Sequence, residues 1–248
     1  MQTVARSKLL YRSKVEYASY GLNHYLGCAH NCAYCWSRKR ALRFHQCASP
    51  QDWAKPKIVK DAVGMLEREV SKRKWLPNEW IWLNPATDPY QPIEDEVHLT
   101  RGIIQFLVNH NIPVRILTKS VGVLHDQDLI LKHPDLIQVG FSVTTLDDEL
   151  RQKWESHASP IWHRVRALEW FHNHGIKTWC SLEPILDDHP EQILHTLQDD
   201  VDMWYIGKLN YVSQPLVHYN RLRERIIKWF NEHHMTNYLI KKELRDAD

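Results

Sequence analysis

Three segments decide how this chain folds: Val114-Arg-Ile-Leu-Thr-Lys119, Leu136-Ile-Gln-Val-Gly-Phe-Ser-Val143 and Ile176-Lys-Thr-Trp-Cys-Ser-Leu182. Each is a short run rich in β-branched residues, and stretches with helical periodicity separate them. His125–Lys132 reads as a short helix, as do Asp147–Trp154 and His163–His174, the last closed by Gly175. The same alternation extends outward in both directions. Upstream lie an extended segment over 19–26, a helical pattern over 58–73, a strand Trp80–Leu83 stopped by Pro85 and Pro89, and a helix Leu99–Val108. Downstream lie a helix Glu191–Gln198, a strand Met203–Ile206 and an amphipathic helix over 216–232. About six β-then-α units in succession predict an α/β fold with parallel strands and outer helices. An open doubly wound sheet and a (β/α) barrel both satisfy this pattern, and both put ligands at the C-terminal strand ends.

The 248 residues hold no low-complexity linker and no repeat, so a single domain over 1–248 is expected, with a core of about 20–210 and a C-terminal helix and tail over 211–248. No run of about 18 apolar residues occurs, and the start Met1-Gln-Thr-Val has no apolar leader, so a cytoplasmic, non-membrane protein is expected. The eight glycines build neither G-x-G-x-x-G nor a Walker loop, which excludes those phosphate-binding classes. The net charge of +2 is uneven. Residues 1–60 carry eleven Lys and Arg against Glu16 and Asp52. A basic surface of this kind attracts anionic partners. Trp36 and Trp53 flank the run from Arg38 to Lys60, so segment 36–60 is a candidate nucleic-acid surface.

Chemistry concentrates in Cys28-Ala-His-Asn-Cys32-Ala-Tyr-Cys35, spaced C-x3-C-x2-C. Thiolates this crowded in a reducing compartment suit a metal better than a disulfide. Zinc, completed by His24, His30 or His45, and an iron–sulfur cluster both remain open. Cys47 and Cys180 do not extend the motif. His172, His174, His233 and His234 fall near helix ends and read as structural.

The cysteine motif, with an aromatic before its third cysteine and a β-strand before its first, resembles that of the radical S-adenosylmethionine (radical SAM) enzymes. Further stretches resemble the spore-photoproduct-lyase-like branch: Thr87-Asp-Pro-Tyr-Gln-Pro-Ile-Glu94, Leu99-Thr-Arg101, Thr118-Lys-Ser120, and Phe141-Ser-Val-Thr-Thr-Leu-Asp147 with Glu155 and Arg164 downstream. The resemblance implies a partial (β/α) barrel. It implies Cys28, Cys32 and Cys35 as ligands of a 4Fe–4S cluster whose open iron binds SAM. It also implies reductive cleavage of SAM to a 5′-deoxyadenosyl radical that takes hydrogen from a substrate. Tyr34 matches the position beside the adenine, Thr87 or Asp88 the contact to the SAM amine, Lys119 the partner of its carboxylate, and Ser142, with Thr144 next on that face, the ribose contact. A flavodoxin- or ferredoxin-like reductant is implied as partner. Two departures stand out. Ala86 occupies the place of the lyase's hydrogen-donating cysteine, and Trp36 that of a tyrosine. These separate the chain from the lyase itself and leave its substrate open. Repair of another DNA photolesion and a zinc-binding nucleic-acid module are the competing readings. Glu183 to Asp188 and Gly207 to Asn210, at later strand ends, are candidates for the substrate pocket.

Overall fold

The computed structural model describes residues 1–15, 18–76, 78–210 and 217–247. Its strands are β1 (Thr3–Val4), β2 (Leu10–Arg12), β3 (Tyr20–Leu22), β4 (Tyr25–Leu26), β5 (Lys57–Val59), β6 (Ile81–Leu83), β7 (Val114–Thr118), β8 (Ile137–Ser142), β9 (Lys177–Leu182), β10 (Met203–Ile206) and β11 (Tyr238–Ile240). Its helices are α1 (Trp36–Arg43), α2 (Pro50–Trp53), α3 (Ala62–Val70), α4 (Glu94–Val97), α5 (Leu99–Asn109), α6 (Gln127–Leu131), α7 (Asp148–Trp154), α8 (Ile161–Asn173), α9 (Pro190–Leu197), α10 (Tyr219–Glu232) and α11 (Lys242–Arg245).

The main sheet runs β2-β3-β6-β7-β8-β9-β10-β11. From β3 to β11 every neighbour is parallel, and β2 adds antiparallel to β3. The spatial order follows the chain without the reversal that defines a doubly wound sheet. This is barrel-type winding, and β2 and β11 stay unjoined edges, so the barrel is partial.

Strand alternation sorts the two faces. Ile116, Val139, Phe141, Cys180, Leu182 and Trp204 enter the large core shared with the helices. Their neighbours Trp82, Leu117, Trp179, Met203, Tyr205 and Leu239 face the other way and plug the barrel interior. Gly140 makes that plug possible. It pairs in register with Trp179, and a Cβ at Gly140 would lie 2.3 Å from the indole.

Several elements differ from the sequence expectation. The helix expected over 58–73 is α3 alone, because residues 57–59 form β5, which pairs with β1 and β4 in a separate three-stranded sheet. The segment expected to be helical from His125 is a 3-10 turn over Val121–Asp126 followed by α6. The C-terminal region is more than a helix and tail, since β11 extends the main sheet. Residue 216 of the expected last helix lies outside the described residues, and α10 starts at Tyr219. Three helices end on one device. His110, His174 and His233 each place Nδ1 within 2.7–2.8 Å of the carbonyl four residues back; His174 and His233 stack on Trp170 and Trp229, and His110 lies tilted against Phe106. These imidazoles supply N–H donors to terminal carbonyls. Among the described residues no helix is long and apolar enough to cross a membrane.

Candidate functional site

The cysteine loop follows β4 and turns at Gly27, whose φ is +90° and whose Cβ would lie 2.5 Å from the Trp53 carbonyl oxygen. Only glycine fits there. The Cys28 N–H donates to that same carbonyl at 2.9 Å, and the Ala33 N–H donates to Trp154 O at 2.8 Å. Cys35 is the N-cap of α1, its Sγ accepting the Arg38 N–H at 3.4 Å. Arg38 reaches back to the Asn31 and Ala33 carbonyls. Cys28 packs with Ala41, Cys47 and Trp53 in a small core under the loop. None of the three thiols is in a disulfide, and all three line a cavity of about 610 Å³ at the C-terminal end of the sheet. Burial pushes the Cys28 thiol up, helped by Asp88 and the neighbouring cysteines. Burial likewise takes Cys32 up to about 12, opposed by Lys119.

The loop from Asn84 to Arg101 fastens this motif to the sheet. Gln91 accepts the Ala29 N–H at 2.8 Å and donates to Gly27 O at 3.3 Å. Asp88, at the centre, has both oxygens occupied. Oδ1 accepts from the Tyr90 N–H (2.9 Å) and the Thr118 hydroxyl (2.7 Å). Oδ2 accepts the Lys119 N–H (2.8 Å) and stands 3.3 Å from His30 Nε2. Burial would raise this carboxyl, but His30, Thr118 and the Lys119 amide outweigh it and hold it down to about 2. Glu94 accepts from the Tyr25 hydroxyl and the Thr100 N–H, while Arg101 pairs with Asp126 and Asp128.

A second buried network lies on the other side of the cysteines. Glu155 and Arg164 are fully buried and pair at 2.6 Å. Glu155 also accepts from the Tyr34 hydroxyl and from Thr144 Oγ1 at 3.2 Å. Arg164 donates to Ser142 O at 3.0 Å and Ser159 O at 2.8 Å. Burial works against the Glu155 charge, but Arg164 and Lys119 keep the carboxyl below its ordinary range. Lys119 Nζ lies 5.7 Å from the Tyr34 ring centre. Among the described residues it has no ion-pair partner, and Glu155 and Cys32 raise its pKa against the effect of burial. Thr87 carries a buried Oγ1 without a hydrogen-bond partner among the described residues.

Of the residues expected at the site, Cys28, Cys32, Cys35, Tyr34, Thr87, Asp88, Lys119 and Ser142 line this one cavity, and Thr144 does not. β8 ends at Ser142, so strand alternation no longer governs Thr144, which turns to Glu155 instead. Glu183, Lys208, Leu209 and Asn210 line the far wall, with Glu183 paired to Lys241. Ala86 and Trp36 also line the cavity. Cys180 does not: it faces the helices, and burial pushes its thiol well up. His24 is buried between Asn84 and Thr100 and held down to about 3 by burial, while His45 is exposed. Trp53, expected on a nucleic-acid surface, is 2% exposed and sits in the small core. Tyr11 and Gln91 escaped the sequence reading. Tyr11 lines the cavity from β2, its ring lying over Gly21 across the strand pair. No motif marks it.

The model of the radical SAM superfamily matches residues 22–199, most of the chain and most of the cavity lining; β2, Lys208 to Asn210 and Lys241 lie outside it. The chain belongs to the radical SAM superfamily. Relatives of this chain include an uncharacterized protein of Methanocaldococcus jannaschii, 28% identical over 84% of this chain and 77% of its own length. An uncharacterized protein of Mycobacterium tuberculosis is 29% identical over 71% of the chain, which spans about half (54%) of that longer protein. Among solved structures, spore photoproduct lyase complexed with dinucleoside spore photoproduct superposes with a TM-score of 0.65, 14% identity and coverage of 95% of this chain and 79% of the other. Streptococcus suis SuiB bound to S-adenosylmethionine gives 0.53 at 13% identity, covering 68% and 40%. At such identities the likeness is one of fold.

Proposed function

We propose that this chain is an enzyme in which Cys28, Cys32 and Cys35 hold a 4Fe–4S cluster and the cavity binds SAM against it. When bound and reduced, that pair supplies a 5′-deoxyadenosyl radical, which abstracts hydrogen from a substrate yet to be identified. The observation that carries the reading is the state of the cavity's polar groups. Beside three thiols stand a buried hydroxyl without a partner, Thr87 Oγ1, and an ammonium without an ion-pair partner, Lys119, among the described residues. A ligand with an amine and a carboxylate satisfies both, and buried polar groups need such partners. Ser142, at the end of β8, is available to a ribose. Tyr34, fixed by Glu155, presents its ring as a wall for a base. Asp88 is saturated by the protein and acts as a tether of the cysteine loop, while Thr144 acts through Glu155.

The zinc reading has less support. Among the described residues no three His, Cys, Asp or Glu side chains converge on one ion position. Three thiols lining one cavity suit a cluster that takes one thiolate per iron. Repair of a DNA photolesion draws support from the fold shared with spore photoproduct lyase, but Ala86 on the cavity wall offers no hydrogen atom of the kind a thiol gives. The test is anaerobic reconstitution. The expected result is about four iron and four sulfide per chain, with 5′-deoxyadenosine formed from SAM on reduction. One zinc without sulfide, or a fully loaded protein that never forms 5′-deoxyadenosine, refutes the proposal.

A further inference from the structure

The geometry points to the outer stripe of α1 as the docking surface for an acidic one-electron carrier protein, of the flavin or iron–sulfur kind. This rests on the proposed function, since only a reducible cluster needs a donor. α1 begins where the cysteine motif ends. Cys35 is its N-cap and is the least buried of the three cysteines. Trp36, Lys39, Arg40 and Arg43 share one side of the helix and are all exposed, whereas Ser37 and Ala41 on the opposite side are buried. The helix contains four cations and no acid. Two aromatic rings lie exposed on this stripe, Trp36 at 46% and Phe44 at 58%, and the Arg40 and Arg43 guanidiniums hover 5.6 and 5.8 Å from the Phe44 ring centre.

An exposed aromatic pair ringed by cations is the composition of an interface that steers an acidic partner and then buries apolar anchors. Its position matches the chemistry. One electron leaves the carrier and enters the cluster, with no proton or group transferred, and tunnelling between proteins weakens steeply with separation. From this surface the covalent path to a cluster ligand is one residue long, from Trp36 to Cys35. The stripe also divides by function. Trp36 and Arg40 line the cavity, whereas Lys39 and Arg43, farther round the helix, do not. A body resting on Lys39, Arg43 and Phe44 therefore leaves the cavity to its substrate. A polynucleotide fits this surface less well, because the second tryptophan that would extend a stacking row, Trp53, is buried.

The experiment uses holoenzyme, SAM, and either dithionite or a reduced bacterial flavodoxin as electron source. It compares the wild type with Lys39→Glu/Arg43→Glu. Formation of 5′-deoxyadenosine driven by dithionite should agree within about twofold between the two. The flavodoxin-driven rate should fall by about tenfold or more, and in the wild type it should fall with added salt. Carbodiimide cross-linking, read by mass spectrometry, should join Lys39 to a flavodoxin carboxylate. A flavodoxin-driven rate that survives the double reversal, or cross-links that avoid α1, overturns the docking assignment alone. So does a variant that loses retention of a single-stranded oligonucleotide but keeps its flavodoxin-driven rate. If dithionite also yields no 5′-deoxyadenosine from the wild type, the proposed function fails and takes the docking surface with it.

Discussion

Replacing Asp88 with Asn tests whether this carboxylate is a structural tether or a cofactor contact. The wild-type carboxyl sits at about 2 against an ordinary 3.8. At about 1.4 kcal/mol for each tenfold change in proton affinity, the charge stabilises the fold by roughly 2 kcal/mol above pH 4. Asparagine also turns one acceptor into a donor. Oδ1 serves Tyr90 and Thr118 while Oδ2 serves the Lys119 N–H, so either amide orientation sets a donor against a donor. One buried donor left unsatisfied costs about 1–3 kcal/mol more. The sum, about 3–5 kcal/mol, lowers the melting temperature of a chain this size by roughly 10 °C. The assay is thermal unfolding of the apo-protein, followed by circular dichroism between pH 7 and pH 2. A depressed carboxyl contributes stability above its unfolded value and loses it as pH falls through its folded value. The gap between wild type and variant should therefore hold constant from pH 7 to about 4 and narrow toward pH 2. A gap under about 1 °C at pH 7, or one that stays open to pH 2, refutes the tether.

Five other substitutions probe the remaining parts. Glu155→Gln strands the Arg164 guanidinium in a fully buried position and should cost about 3–5 kcal/mol in denaturant unfolding; a loss under about 1 kcal/mol contradicts the burial of the pair. Thr87→Val removes a hydroxyl that has no partner, so apo stability should hold or rise while SAM affinity in calorimetry falls about tenfold. Gly140→Ala drives a methyl into Trp179 and should cost about 1–3 kcal/mol or more, with an altered near-ultraviolet spectrum; a silent substitution contradicts the interior plug. Cys32→Ala should lose the reconstituted iron, whereas Cys47→Ser, outside the cavity, should keep it.

The parallel core was legible because its strands are short runs rich in β-branched and aromatic residues that alternate with helical periods. The edges were not. β2 and β11 are three residues each, too short to show a period, and they exist because neighbouring strands offer unpaired backbone. Residues 57–59 carry Ile58 in step with the helix that follows, yet the N–H groups of Ile58, Val59 and Lys60 reach Gln2 O, His24 O and Val4 O. Long-range pairing overrode a local pattern. α1 was invisible as a helix because its exposed side is almost wholly cationic and its cap is a thiol instead of Ser, Thr or Asp. At the site, motif resemblance located the cysteines, Thr87, Lys119 and Ser142. It could not tell that Asp88 is already saturated, since that depends on Thr118 and Lys119 arriving from a strand thirty residues away.

Saturation is what sorts the cavity's polar groups into scaffold and ligand contacts. Asp88, Glu155 and Glu183 all carry charge at or beside the cavity, and each is met by the protein: by Thr118 and the Lys119 amide, by Arg164 and Tyr34, and by Lys241. All of these contacts except Glu155–Arg164 join chain segments far apart in sequence, so the carboxylates hold the cysteine loop, β7, β8 and β11 in register around the cavity. Thr87 and Lys119 are different. Both line the cavity, yet among the described residues the Thr87 hydroxyl has no hydrogen-bond partner and the Lys119 ammonium has the Tyr34 ring but no ion-pair partner. The carboxylates are met by the protein, whereas Thr87 Oγ1 and Lys119 Nζ keep hydrogen-bonding capacity for a ligand. Their deficit becomes intelligible once a bound amine and carboxylate are counted as part of the native hydrogen-bond inventory. The free energy of binding such a ligand then adds directly to the stability of the cavity.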